Sequence, residues 1–88
     1  MPEEVKELNK VPTPEEIQKS ISAAMDSVTF ITKKITEPKT EERVKGVNRN
    51  VKHLEYMLTK DWFSGALSTQ QRTDIDTAIT QGKAYCSE

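Results

Sequence analysis

Asp74-Ile75-Asp76 is the one place in the chain where ligand types and spacing resemble the opening of a metal loop. A calcium loop beginning at Asp74 needs glycine at its sixth position, for the sharp turn, and glutamate at its twelfth, to close the ion from the far side. Those positions hold Ile79 and Tyr85, so the pair reads as two solvated acids flanking a core isoleucine. His53 and Cys86 are the only imidazole and the only thiol, and two such ligands do not make a zinc site. Nucleophilic chemistry by the same pair would require them to meet in space beside a pocket and oxyanion donors. Gly46, Gly65 and Gly82 are scattered rather than gathered into a phosphate-cradling loop. The expectation is a non-enzymatic protein with no catalytic residue, metal, cofactor or small-molecule substrate.

A different pattern appears when residues 41–62 are rotated about 100° per position, as on a helix. Lys45, Arg49, Lys52, His53, Tyr56 and Lys60 then share one face, opposite the apolar seam of the same segment, with Glu42 as the only interruption. Cations around an aromatic suit a phosphate backbone or an acidic protein surface. They are also what the solvated side of an ordinary amphipathic helix carries.

The elements that must position these groups follow from apolar periodicity. Thr13-Pro14-Glu15-Glu16 combines a capping threonine, proline at the first helical position and a capping-box glutamate. Ile17, Ile21, Ala24, Val28, Ile31 and Ile35 follow at alternating spacings of four and three, a heptad seam. Glu37-Pro38 ends that helix, because the residue before proline is driven out of the helical region. Thr40-Glu41-Glu42 restarts it with acids at the positive end of the helix dipole, and Val44, Val47, Val51, Leu54 and Leu58 continue the seam. Ser68 and Gln71 form a second capping box ahead of a short face of Ile75, Ala78, Ile79 and Gly82.

The predicted fold is therefore all-α: an antiparallel helical hairpin plus a shorter third helix, a three-helix bundle, with helices over about 14–36, 41–62 and 69–84. Residues 13–88 make a single helical domain, preceded by a flexible, extended N-terminal arm over 1–12 that carries Val5, Leu8 and Val11. Trp62 and Phe63 sit at the turn toward the third helix, either as a plug at one end of the bundle or as an aromatic docking patch. Phe30 falls nearly opposite Ile17, Val28 and Ile35, where a monomer would leave it wet unless the arm folds over it. Gly46 also lies off the seam, at a cost of about 1 kcal/mol relative to alanine, either to admit a close neighbour or as a tolerated defect. The same seams could close between chains if residues 37–40 straightened into a longer rod.

Size and charge bound the reading further. Eighty-eight residues make one domain at most, and 34% hydrophobic against 31% charged residues is polar for a globular chain. A formal charge of −1 gives no global attraction to nucleic acid or an acidic membrane. One cysteine closes no internal disulfide, no apolar run spans a bilayer, and Met1-Pro2-Glu3-Glu4 lacks signal-peptide order. A soluble protein, cytoplasmic or within a virus particle and not secreted by its own signal, is expected.

The stretch from Asn50 to Leu58, with Lys60-Asp61-Trp62-Phe63, Leu67-Ser68, Ala78-Ile79, Gly82 and Tyr85, resembles small helical proteins of tailed bacteriophages. The resemblance covers the C-terminal half and implies a virus-encoded accessory or particle component; it assigns a role to no residue. The function expected is protein–protein interaction as a structural or assembly subunit, with a protein partner or another copy of the chain docking on Val5, Leu8, Val11, Phe30, Trp62 and Phe63. The alternative is a small nucleic-acid-binding or regulatory protein using Lys45, Arg49, Lys52, His53, Tyr56 and Lys60.

Overall fold

A computed structural model describes residues 12–87. Helix α1 (Pro14–Lys34) begins at the predicted box: the Glu16 N–H donates to Thr13 Oγ1 at 3.2 Å and the Thr13 N–H to Glu16 Oε1 at 2.9 Å. Helix α2 (Glu41–Leu58) is capped by Thr40, whose hydroxyl oxygen accepts from the Arg43 N–H at 3.1 Å. A four-residue helix, α3 (Asp61–Ser64), follows. Helix α4 (Thr69–Ser87) opens on a second reciprocal box, Gln71 N–H to Ser68 Oγ at 3.0 Å and Ser68 N–H to Gln71 Oε1 at 2.9 Å. Each box satisfies two N–H groups that a helix start otherwise leaves without partners. No strand occurs among the described residues, and the fold is all-α.

Each of the three long helices packs against the other two, and α3 packs on α1 and α2. Ile21, Ala24 and Ile31 from α1, Val47, Val51 and Leu54 from α2, and Ile75 and Ala78 from α4 form the buried core. Ile17, Val28, Ile35, Val44, Leu58 and Ile79 pack at its margin. Every fully buried aliphatic side chain contributes about 1.5–3 kcal/mol. Met57, Ser27 and Tyr85 are also buried, beyond the predicted seams.

One contact limits how closely the helices can approach. A Cβ added to Gly82 would stand 2.5 Å from Val51 Cγ2 and 3.3 Å from both Ile31 Cγ2 and Val47 Cγ1. Branched side chains of α1 and α2 therefore occupy the space that a side chain at position 82 would need. Nearby, Glu55 of α2 pairs with Lys83 of α4 at 2.5 Å, and the Cys86 thiol donates to the Val44 carbonyl at 3.5 Å.

Several expectations are corrected. Helix α4 has 19 residues against 18 for α2, so the last helix is not the shorter; burial of Tyr85 and the bond from Cys86 hold its final turn in place. Helix α2 stops at Leu58 instead of running to about 62. Thr59 and Lys60 donate their N–H groups to Tyr56 and Met57 at 3.1 and 3.0 Å, the Thr59 hydroxyl takes the Tyr56 carbonyl at 2.6 Å, and Lys60 turns extended. The break has a packing reason. In an uninterrupted helix Phe63 would share the angular position of Lys45, on the outward side; after the break it is fully buried.

Phe30 is not left wet. Its ring lies half-buried over Gly46, where an added Cβ would sit 3.2 Å from Phe30 Cζ, and the Lys34 ammonium stands 5.6 Å from the ring centroid. Gly46 thus makes room for an aromatic ring of the neighbouring helix. Val5, Leu8 and Val11 lie outside the described residues.

The two helical glycines should respond differently to alanine. At Gly82 the nearest obstacle is a β-branched valine with little freedom about χ1, so overpacking of about 1–3 kcal/mol outweighs the roughly 1 kcal/mol of helix propensity gained. Gly82→Ala should therefore lower stability by up to about 2 kcal/mol in urea titration followed by circular dichroism. Gly46→Ala, facing a half-exposed ring able to shift a few tenths of an ångström, should be neutral or stabilising by up to about 1 kcal/mol. Equal effects at both positions would contradict this account.

Candidate functional site

The constellations that could carry metal or nucleophilic chemistry are separated or engaged elsewhere. Asp74 accepts from Gln70 Nε2 at 2.8 Å and Asp76 pairs with Arg72 at 3.2 Å, each one turn along the same helix. His53 is exposed on α2, while Cys86 sits beside Val44, nine residues earlier on that helix and near its opposite side. Nine residues of helix separate the two by about 13 Å along the axis, so thiol and imidazole do not meet. Among the described residues no three His, Cys, Asp or Glu side chains are grouped to share a metal ion. No helix among them is long and apolar enough to cross a membrane.

The predicted aromatic contacts divide between core and surface. Phe63 is fully buried, and Trp62, half-buried, meets it edge to face with ring centroids 6.2 Å apart at 87°. Such a pair adds about 0.5–1.5 kcal/mol beyond the area it buries. An open cleft of about 680 Å³ lies between the end of α1 and the start of α2, lined by Phe30, Lys34, Thr40, Glu41, Glu42 and Arg43. Its cations are already taken: Glu37 holds Arg43 at 2.9 Å and Lys34 at 3.6 Å, and Arg43 also donates to the Pro38 carbonyl at 2.7 Å. Sequence reasoning missed this clamp, although a glutamate and an arginine flanking a Pro-containing turn were a signal for it.

The outward face of α2 is the remaining candidate, and it is continuous. Lys45, Arg49, Lys52 and His53 are exposed, Lys60 is half-exposed at the helix end, and none of the four Lys and Arg side chains makes an ion pair among the described residues. Tyr56, at 58% exposure, is the one exposed large apolar side chain among them. The Lys60 ammonium lies 4.7 Å from its ring centroid, a cation–π contact that holds the ring along the face. From Lys45 to Lys60 the strip runs roughly 20 Å. Glu41 and Glu42 at one end and Asp61 at the other, all exposed, bound it with opposite charge.

The strip exists because the seam exists. Val47, Val51 and Leu54 fix the rotation of α2 by burying one side, and positions opposite them must face water. What the arrangement can do chemically is attract and orient an anionic surface, with Tyr56 as an apolar contact toward its Lys60 end. The chain matches no protein-family model, no curated protein and no solved structure.

Core and surface aromatics should separate cleanly under mutation. Phe63→Ala should cost about 3–5 kcal/mol, comparable to the whole stability of a small domain, and helicity at 25 °C should fall. Tyr56→Ser and Lys52→Glu should each move stability by no more than about 0.5 kcal/mol. Thermal unfolding by circular dichroism checks all three; an unchanged melting curve for the Phe63 variant would place that ring outside the core.

Proposed function

We propose that the protein is a non-enzymatic interaction module, a structural or assembly subunit of a larger complex, that docks through the outward face of α2. Its architecture in this reading is an antiparallel hairpin of α1 and α2 closed by α4 into a three-helix bundle. The helices spend their apolar surface on one another and present a bounded strip of charge to a partner. The observation that supports the reading best is the placement of Tyr56, the large exposed apolar side chain, among cations that make no ion pair among the described residues. Phe30 and Phe63, proposed from sequence as docking groups, are less suited because their rings already have neighbours inside the chain. The phage resemblance of the C-terminal half supports a virus-particle or assembly setting for such a subunit.

A second reading, nucleic-acid binding, draws on the same cations. Four of them displacing about four counterions would give a log–log salt slope of only about −3 to −4, which is weak for a chain of net charge −1.

The test is the triple reversal Lys45→Glu, Arg49→Glu and Lys52→Glu, expressed in place of the wild-type chain in its native source. Sedimentation should move the protein from its complex to the position of the free chain, with the helical circular dichroism spectrum retained. Continued sedimentation with the complex would remove this face from the interaction.

A further inference from the structure

We propose that the outward face of α2 receives an acidic amphipathic α-helix of a protein partner, laid lengthwise between Lys45 and Lys60 with Tyr56 as its apolar anchor toward the Lys60 end. The inference rests on the docking role argued for this face and adds the chemistry of the occupant.

Three features distinguish a helix from a nucleic-acid backbone. The first is spacing. Lys45, Arg49, Lys52 and Tyr56 follow one another by four, three and four residues along α2, so they form a strip nearly parallel to the helix axis, and Lys60, just past the helix end, joins it through its approach to the Tyr56 ring. A partner helix laid along α2 with carboxylates at the same three-and-four spacing meets each cation in turn. The second is length. Exposed Glu41 and Glu42 before the strip and exposed Asp61 after it would repel a polyanion that continues in either direction. A helix of about four turns, roughly 20 Å long, ends where the cations end. The third is the tyrosine. One face of its ring faces the Lys60 ammonium at 4.7 Å, which competes with stacking of a nucleobase. The remainder of the ring and its 58% exposure leave an apolar contact for a leucine-sized side chain, with the hydroxyl at its rim. Tyrosine in such a place is a common centre of binding energy.

Charge complementarity of this kind acts over a limited range. Screening at physiological salt reduces it beyond about 8 Å, so the strip recognises a partner already close and sets its register. With four of the 13 Lys and Arg in the strip, the rest of the chain holds nine against 14 Asp and Glu, a net charge of −5 that draws no polyanion in from a distance.

The probe is a fluorescein-labelled helical peptide of about four turns with glutamates at alternating three-and-four spacing on one face, a leucine on that face about one turn from its end, where Tyr56 would lie, and alanine or glutamine elsewhere. A scrambled peptide of identical composition, and single-stranded and duplex DNA of equal charge, are the controls, all read by fluorescence anisotropy with the full-length chain. The patterned peptide should bind at least about tenfold more tightly than the scrambled one. Arg49→Glu with Lys52→Glu should weaken it by about tenfold or more and create affinity for a lysine-patterned counterpart, and Tyr56→Ala should weaken it about five- to tenfold. Equal binding of patterned and scrambled peptides, or no binding of either, overturns the proposal; tighter binding of DNA, lost in the double reversal, assigns the face to nucleic acid instead. If the peptide fails while the triple reversal still releases the protein from its native complex, the docking face stands and only its acidic-helix occupant is wrong.

Discussion

The absence of one side chain sets how closely the three long helices can meet. At Gly82 any side chain on α4 would run into Val51, Val47 and Ile31, so at that point α4 faces the branched residues of both other helices at once. Moving α4 outward by the radius of a methyl group would open the packing of Ile75, Ala78 and Tyr85 along the rest of its length. Interiors pack at the density of organic crystals, so a gap introduced at one end is not absorbed elsewhere. The buried faces of α1 and α2 fix their rotation in turn, and with it the direction in which every charged residue points.

That dependence explains why a small apolar inventory suffices. Helix α4 brings only one large aliphatic, Ile75, fully into the core, and does the rest with Ala78 and Gly82. Small residues permit short interaxial distance, and short distance lets the larger side chains of α1 and α2 fill the interior. Phe63 closes one end and Tyr85 is buried near the other end of α4. The Tyr85 hydroxyl is buried without a protein partner among the described residues, while the Lys39 ammonium lies 5.6 Å from its ring centroid. Cation–π attraction of this kind adds about 0.5–1 kcal/mol at partly exposed sites. It links the connection between α1 and α2 to the last turn of α4.

Much of this was legible in the sequence because the relevant physics is local. Thr13 with Glu16 and Ser68 with Gln71 act across three residues, and both boxes formed. The seams were legible because helical rotation is a property of spacing alone: Ile21, Ala24, Ile31, Val47, Val51 and Leu54 are all buried. The exposed strip from Lys45 to Tyr56 follows from the same rotation by subtraction, and Lys60 joins it by its contact with the Tyr56 ring. What could not be read couples positions on different helices. Phe30 and Gly46 each break the pattern of their own segment, and only their juxtaposition makes both sensible. The break at Thr59 is similar, since neither Thr59 nor Lys60 is a strong helix breaker. The need to bury Phe63 decides it, and that need is visible only when the core is assembled.

The clamp between α1 and α2 bears on how the surface strip can work. Arg43 ties the start of α2 to Glu37 and to the Pro38 carbonyl, and Lys34 reaches the same Glu37 from the end of α1. Straightening residues 37–40 into a continuous rod would break these bonds, expose the apolar side of both helices and separate Phe30 from Gly46. Exposed ion pairs contribute little individually; here they act with a proline, which by itself excludes the preceding residue from helical geometry. The folded-back connection therefore keeps α2 at a fixed rotation over its seam. On the docking proposed above, a partner meeting Lys45, Arg49, Lys52 and Tyr56 would encounter a strip already ordered by the core beneath it, so little backbone entropy would be lost. Rigidity of that kind favours recognition by register, in which carboxylates of a partner must match the spacing of the cations, over the loose neutralisation that flexible basic tails provide.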